Sequence, residues 1–125
     1  MEQYIPETDV AFAVNALVEA MPQTLFFELE EQLGRPAYYS KMMLKIILYA
    51  YTQRVFSGRK IEFLLDDSSR MHWLANHGQV SYRTINRFQS NETTAHLLAE
   101  AFVSFRRQLI TNQANSIRSF IKRKS

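Results

Sequence analysis

Apolar residues in this 125-residue chain recur three and four positions apart almost throughout, and its few glycines and prolines fall between such stretches. No run combines sustained alternation with the turn chemistry of a hairpin. The chain must therefore bury helical stripes against one another, which predicts an all-α, compact multi-helix domain. Its length suffices for one core without staples. It contains no cysteine, which excludes disulfides and thiolate metal sites.

The helices follow from caps and breakers. Thr8 or Asp9 is placed to cap a first helix through about Ala20, with Val10, Val14, Leu17 and Val18 inward; Pro22 breaks it. A second helix carries Leu25, Phe26, Leu29 and Leu33 inward and ends at Gly34 and Pro36. Ser40 is expected to open a third, central helix, where Met43, Leu44, Ile47, Leu48 and Tyr51 form a wide apolar face. Ser57 caps a fourth helix bearing Ile61, Leu64 and Leu65. Asp66 to Ser69 read as a turn, with Ser69 capping a short helix over Arg70–His77. Asn91 caps a long last helix with Leu97, Leu98, Ala101, Phe102, Phe105 and Leu109 on one side. Asn112 to Asn115 weaken that helix, so residues 1–110 read as the domain and 111–125 as a basic extension.

The stretch from Trp73 to Phe88 carries the most chemistry. It reads as a helix, a tight turn in which Gly78 takes a positive φ, and a second helix capped by Ser81. Ile85 and Phe88 share the inner face of that second helix. Tyr82, Arg83, Asn86 and Arg87 then point elsewhere, and arginine and asparagine pair bidentately with guanine and adenine edges. This is the pattern of a DNA-reading helix-turn-helix, and equally of an ordinary capped helical hairpin.

Charge is distributed unevenly. Residues 1–34 hold seven acids and no lysine or arginine, whereas residues 35–125 hold all fifteen bases against five acids. The last twenty-five residues contain six bases and no acid. Such polarity fits a basic surface facing a polyanion, with the acidic segment turned away from it or packed against the basic part. The opening residues, Met1 to Pro6, lack a signal-peptide pattern. The most apolar stretch, Met42–Tyr51, is interrupted by Lys45 and is too short to span a bilayer. A cytoplasmic, nucleoid-associated protein with no membrane partner is the expectation.

Several spaced blocks carry a family resemblance. Leu33-Gly34-Arg35-Pro36-Ala37-Tyr38, Leu44-Lys45-Ile46 and Leu48-Tyr49-Ala50-Tyr51 resemble the amino-terminal domain of bacterial insertion-sequence transposases of the InsH type. So do Phe56-Ser57-Gly58-Arg59-Lys60-Ile61-Glu62, Trp73-Leu74 and Tyr82-Arg83-Thr84-Ile85-Asn86-Arg87-Phe88. The resemblance runs in order from about Ile5 to Ile110. It implies a helical domain that helps bind the terminal inverted repeats of a mobile element, as one part of DNA transposition and recombination. In relatives this domain precedes a ribonuclease-H-type domain whose Asp-Asp-Glu set holds two metals. The present sequence closes with Lys122-Arg123-Lys124-Ser125 before such a region, so a truncated, non-catalytic form is expected. Ser40, where proline is usual, and Gln89, where arginine is common, depart from the family pattern.

Catalysis within the chain has little support. Glu62, Asp66 and Asp67 form an acidic group that fits either a magnesium site or surface pairing with Arg59, Lys60 and Arg70. His72, His77 and His96 lack metal-ligand spacing, and no serine sits in a nucleophile elbow. No cofactor is expected. The DNA-contacting set is assigned to Ser81, Tyr82, Arg83, Asn86 and Arg87, with Arg59 and Lys60 on phosphates. Arg106-Arg107 and Lys122-Arg123-Lys124 are further phosphate candidates or simply solvated charge. Double-stranded DNA is the expected partner, with self-association or full-length transposase beside it. The alternative from another class is a helical protein-interaction or dimerisation module of a transposase assembly.

Overall fold

The computed structural model describes residues 9–124, with side chains described for residues 9–111. Thr8, Met1–Pro6 and the side chains of Lys122, Arg123 and Lys124 lie outside the described residues. Seven helices and no strand make up the described chain: α1 (Val10–Glu19), α2 (Gln23–Leu33), α3 (Ala37–Thr52), α4 (Gly58–Asp67), α5 (Ser69–Leu74), α6 (Tyr82–Ser90) and α7 (Glu92–Lys124). The all-α expectation holds. Among the described residues no single helix is long and apolar enough to cross a membrane.

α3 is the axis of the fold and packs against each of the other six helices. That role explains its composition: Ile46, Ile47, Leu48, Tyr49 and Ala50 are consecutive, and all are buried. A helix apolar all round is stable only when neighbours cover every side. From α1 come Ala11, Val14 and Val18, and from α2 Phe26 and Leu29. Ile61, Leu65, Met71, Leu74, Ala75, Val80, Ile85, Phe88, Leu98, Ala101 and Phe105 complete the core from the rest of the chain. Trp73 is half-buried and stacks on Phe12 of α1 at 6.4 Å, joining α5 to α1 as its size and polarity favour.

Most boundaries match their chemical signals. Asp9 caps α1 by accepting the Ala11 N–H. Gly34 closes α2 in the left-handed conformation, with φ 66°. Asn91 Oδ1 accepts the N–H groups of Thr93 and Thr94, turning α6 directly into α7. The buried Thr94 hydroxyl donates to the Phe88 carbonyl and fastens that corner.

Four boundary expectations are corrected. α3 starts at Ala37 after Pro36, so Ser40 lies inside the helix, fully buried, with no partner for its hydroxyl. Proline's fixed φ preorganises a helix start better than the serine four residues on. The α4–α5 break is one residue long: Ser68, not Ser69, ends α4 and caps α5 by accepting the Met71 N–H. α5 stops at Leu74, because Asn76 and His77 adopt positive φ of 50° and 62° while Gly78 does not. Gly78 serves close approach instead, since a Cβ there would meet the Ala75 carbonyl at 3.0 Å and Met42 Sδ at 3.4 Å. Lastly, α7 continues through Asn112–Asn115 to Lys124. Asparagine inside an established helix costs only about 0.5 kcal/mol relative to alanine, too little to break a long one.

The acidic first third packs against the basic remainder through two ion-pair groups. Asp9 Oδ2 receives Arg70 of α5 at 2.7 Å, and Glu19 takes Lys45 at 2.5 Å and Lys41 at 3.4 Å, both on α3. Each lysine and arginine so used is removed from the set free to meet an external anion. The bases that remain free are therefore informative.

Candidate nucleic-acid interface

α6 is short and sharply two-sided. Ser81 takes extended backbone angles and its hydroxyl accepts the Thr84 N–H, the geometry of an N-cap. Ile85 and Phe88, three apart, are buried, and Ser81, Arg83, Asn86 and Arg87 are exposed. Arg87 occupies the last turn, where its charge also complements the helix dipole.

The partners of α6 differ from the helix-turn-helix expectation. α6 packs on α4 and α7, and more lightly on α3, but not on α5. The link from α5 is the irregular stretch Ala75–Ser81 rather than a tight turn. Two successive left-handed residues lead the chain away from α5 before Ser81 restarts a helix. The contact between α4 and α6 is close because Gly58 begins α4. A Cβ at that position would meet the Tyr82 carbonyl at 2.8 Å and would also strike the Asn86 carboxamide.

That approach assembles residues from two helices. The Arg59 guanidinium lies over the Tyr82 ring at 4.4 Å, and the Arg83 guanidinium lies 5.8 Å from the same ring centre. The Tyr82 hydroxyl accepts from Arg59 Nη2 at 3.4 Å and from Arg83 Nε at 3.3 Å. The ring's negative faces and phenolic oxygen hold two cations together where bare Coulomb repulsion would separate them. Glu62, one turn beyond Arg59, does not pair with it: its carboxylate accepts the Tyr82 backbone N–H at 2.9 Å. The expected surface pairing of Glu62 and Arg59 is thus replaced by a cap across helices, and Arg70 pairs with Asp9. Among the described residues, Arg59, Lys60, Arg83 and Arg87 form no ion pair with a carboxylate.

The seven residues assigned from sequence are therefore not equally placed. Arg59, Tyr82 and Arg83 form one group, and Ser81 adjoins it as the cap. Asn86 stays exposed but lies against the start of α4. Lys60 and Arg87 are exposed on α4 and α6 without joining the Tyr82 group. The support residues Gly58 and Glu62 are absent from the set assigned by sequence, although glycine immediately inside a capped helix is a legible sign of close approach. Gln89 is also a support residue: its Nε2 donates to the Tyr51 hydroxyl at 2.8 Å and to the Phe56 carbonyl at 3.0 Å, tying α6 to α3. Its distance in sequence from both partners leaves no local trace of that role.

Chemically, the group is an anion-receptive surface with planar donors and one aromatic hydroxyl. Two guanidiniums offer forked N–H donors that match phosphate oxygens or a guanine edge. Residues 1–91, which include α1 to α6 and the whole group, match the family model described as "Transposase domain (DUF772)". No curated protein and no solved structure matches the chain. The chain therefore belongs to the transposase-domain family DUF772, in keeping with the amino-terminal region of an insertion-sequence transposase.

Proposed function

We propose that this chain binds duplex DNA at the terminal inverted repeats of an insertion element, as the recognition part of DNA transposition. The observation that carries the reading is the Arg59–Tyr82–Arg83 group: two guanidiniums without carboxylate partners, held on one ring at the exposed start of α6. Family membership supports the same reading. In this account Arg83 and Asn86 meet base edges. Ser81, Tyr82 and Arg87 serve bases or adjacent phosphates, and Arg59 and Lys60 meet phosphates. The role assigned to these residues is recognition rather than strand cleavage: Glu62, whose carboxylate touches Tyr82, is engaged in capping α6. A DNA partner of this kind would hold the protein at the nucleoid.

The deciding experiment is selection of random-sequence duplexes by the purified chain, at moderate salt with competitor DNA, followed by sequencing. Enrichment of one motif, with Arg83→Ala losing about 1–3 kcal/mol at one base position, supports a sequence reader. Absence of any enriched motif from folded protein overturns it.

A further inference from the structure

α7 has two faces of different use. Its inner face buries Thr94, Leu98, Ala101 and Phe105 against the domain. Its outer face mixes charged groups with exposed apolar ones, where a purely solvent-facing helix side would be polar. His96, Ala99, Glu100, Val103, Ser104 and Arg107 line a shallow groove of 450 Å³ there. Val103 is 49% exposed, and Ile110, two turns further along, is 64% exposed. Positions 96, 99, 100, 103, 107 and 110 recur at three and four, so they form one stripe along the helix. No other described element covers it.

We infer that this stripe is an interface between two copies of the chain, with α7 lying antiparallel on α7 about a two-fold axis beside Val103 and Ser104. The charge pattern selects both the partner and the direction. The stripe has an acid, Glu100, at one side of Val103 and a base, Arg107, at the other. Seven residues separate them, about two helical turns or 10.5 Å. A parallel pair would set Glu100 beside Glu100 and Arg107 beside Arg107. An antiparallel pair centred between residues 103 and 104 sets Glu100 of each copy against Arg107 of the other, twice, by symmetry. The same register brings Val103 of one copy beside Val103 of the other, and Ile110 between His96 and Ala99 of the other copy. The small side chains of Ala99 and Ser104 flank Val103 and let the two helices interlock closely. His96 Nε2 lies 2.9 Å from Glu100 Oε1, which pre-positions that carboxylate along the stripe.

This interface lies outside the family-matched residues 1–91 and does not depend on the DNA-binding reading. From His96 to Ile110 the stripe is about 21 Å long. That is short beside most stable interfaces, so the dimer is weak, with a dissociation constant on the order of 10 µM.

Sedimentation equilibrium of the whole chain over about 1–300 µM, a range that brackets this constant, tests the inference. Wild type should pass from one to two copies across that range. Glu100→Arg and Arg107→Glu should each raise the dissociation constant by about tenfold or more, because each sets like charges face to face. An equimolar mixture of the two variants should dimerise again, since both cross-pairs between unlike copies then join opposite charges. A wild-type chain that stays monomeric throughout overturns the inference. So does a dimer indifferent to both reversals, or a mixture of the two variants that fails to pair. Both positions are exposed, so the fold does not rest on them, and the wild-type series decides independently of either variant.

Discussion

Glu62 on α4 accepts the backbone N–H of Tyr82 on α6 at 2.9 Å, so a side chain from one helix caps the first turn of another. This bond sets the height of Tyr82 relative to α4. Arg59, three residues before Glu62 on the same helix, then reaches across the Tyr82 ring. The arrangement of the two guanidiniums therefore follows from a cap, a ring and the missing side chain of Gly58, which together lock α4 against α6.

Removing that cap should cost stability before it costs anything else. Glu62→Ala leaves a partly buried N–H without its charged acceptor, and a loss of about 1–2 kcal/mol is expected. Glu62→Gln keeps an acceptor and should lose less. Urea midpoints of the three proteins check this; equal midpoints for wild type and Glu62→Ala would mean that solvent caps α6 equally well.

Arg59 should act on DNA without reading its sequence. Arg59→Ala is expected to weaken binding to all duplexes alike and to reduce the slope of log affinity against log salt by about 1. Arg59→Lys retains the charge but cannot stack or fork, so its affinity should fall between the two. Titrations at stepped salt on matched and scrambled duplexes measure this. A loss confined to one sequence would move Arg59 from the phosphates to a base edge.

Acid should weaken the tie between α1 and α5. The Arg70 guanidinium bonded to Asp9 holds that carboxyl below the ordinary aspartate range, with the Ala11 N–H adding to the effect against the opposing influence of burial. Folding lowers this pKa, so the contribution of Asp9 is complete above the unfolded value of about 3.9 and is lost as pH falls through the lower folded value. Asp9→Asn preserves capping capacity and removes the charge. The gap in unfolding free energy between wild type and Asp9→Asn should therefore stay level above about pH 5 and shrink from there to about pH 2.5. A gap that stays constant across a pH series of urea melts would assign the effect to packing or capping instead of charge.

Ser40 offers a stabilising change. Its hydroxyl is buried in α3 and has no hydrogen-bond partner. Ser40→Ala deletes an unsatisfied polar atom and raises helix propensity, which should increase stability by about 1 kcal/mol. A lower thermal midpoint for Ser40→Ala would show that the hydroxyl does find a partner in solution.

Local chemistry is legible from residue types alone wherever partners are near in sequence. Asp9, Ser57 and Ser81 cap the helices predicted for them, and Gly34 ends the second helix as its conformational freedom predicts. The apolar run of α3 identifies the central helix, because only a fully surrounded helix tolerates it. The inner face of α6, Ile85 and Phe88, is equally plain from spacing. Expectation and structure part at Ser40, Ser69 and Gly78, where neighbouring residues compete for one local role and packing chooses between them.

Spacing and caps thus determined seven helices' worth of local structure and the outward set on α6, while separate motif blocks carried the family resemblance. Tertiary structure decided which helices meet: α6 against α4 and α7 rather than α5, Glu62 on the Tyr82 N–H rather than on Arg59, and Gln89 on Tyr51 rather than in solvent. The physical reason is range. A cap made by the residue at a helix's own start, or an apolar stripe, repeats among residues at most four apart and is written directly in their order. The approach of Gly58 to Tyr82 depends on how close two helix axes come, and that distance is set by the whole core at once.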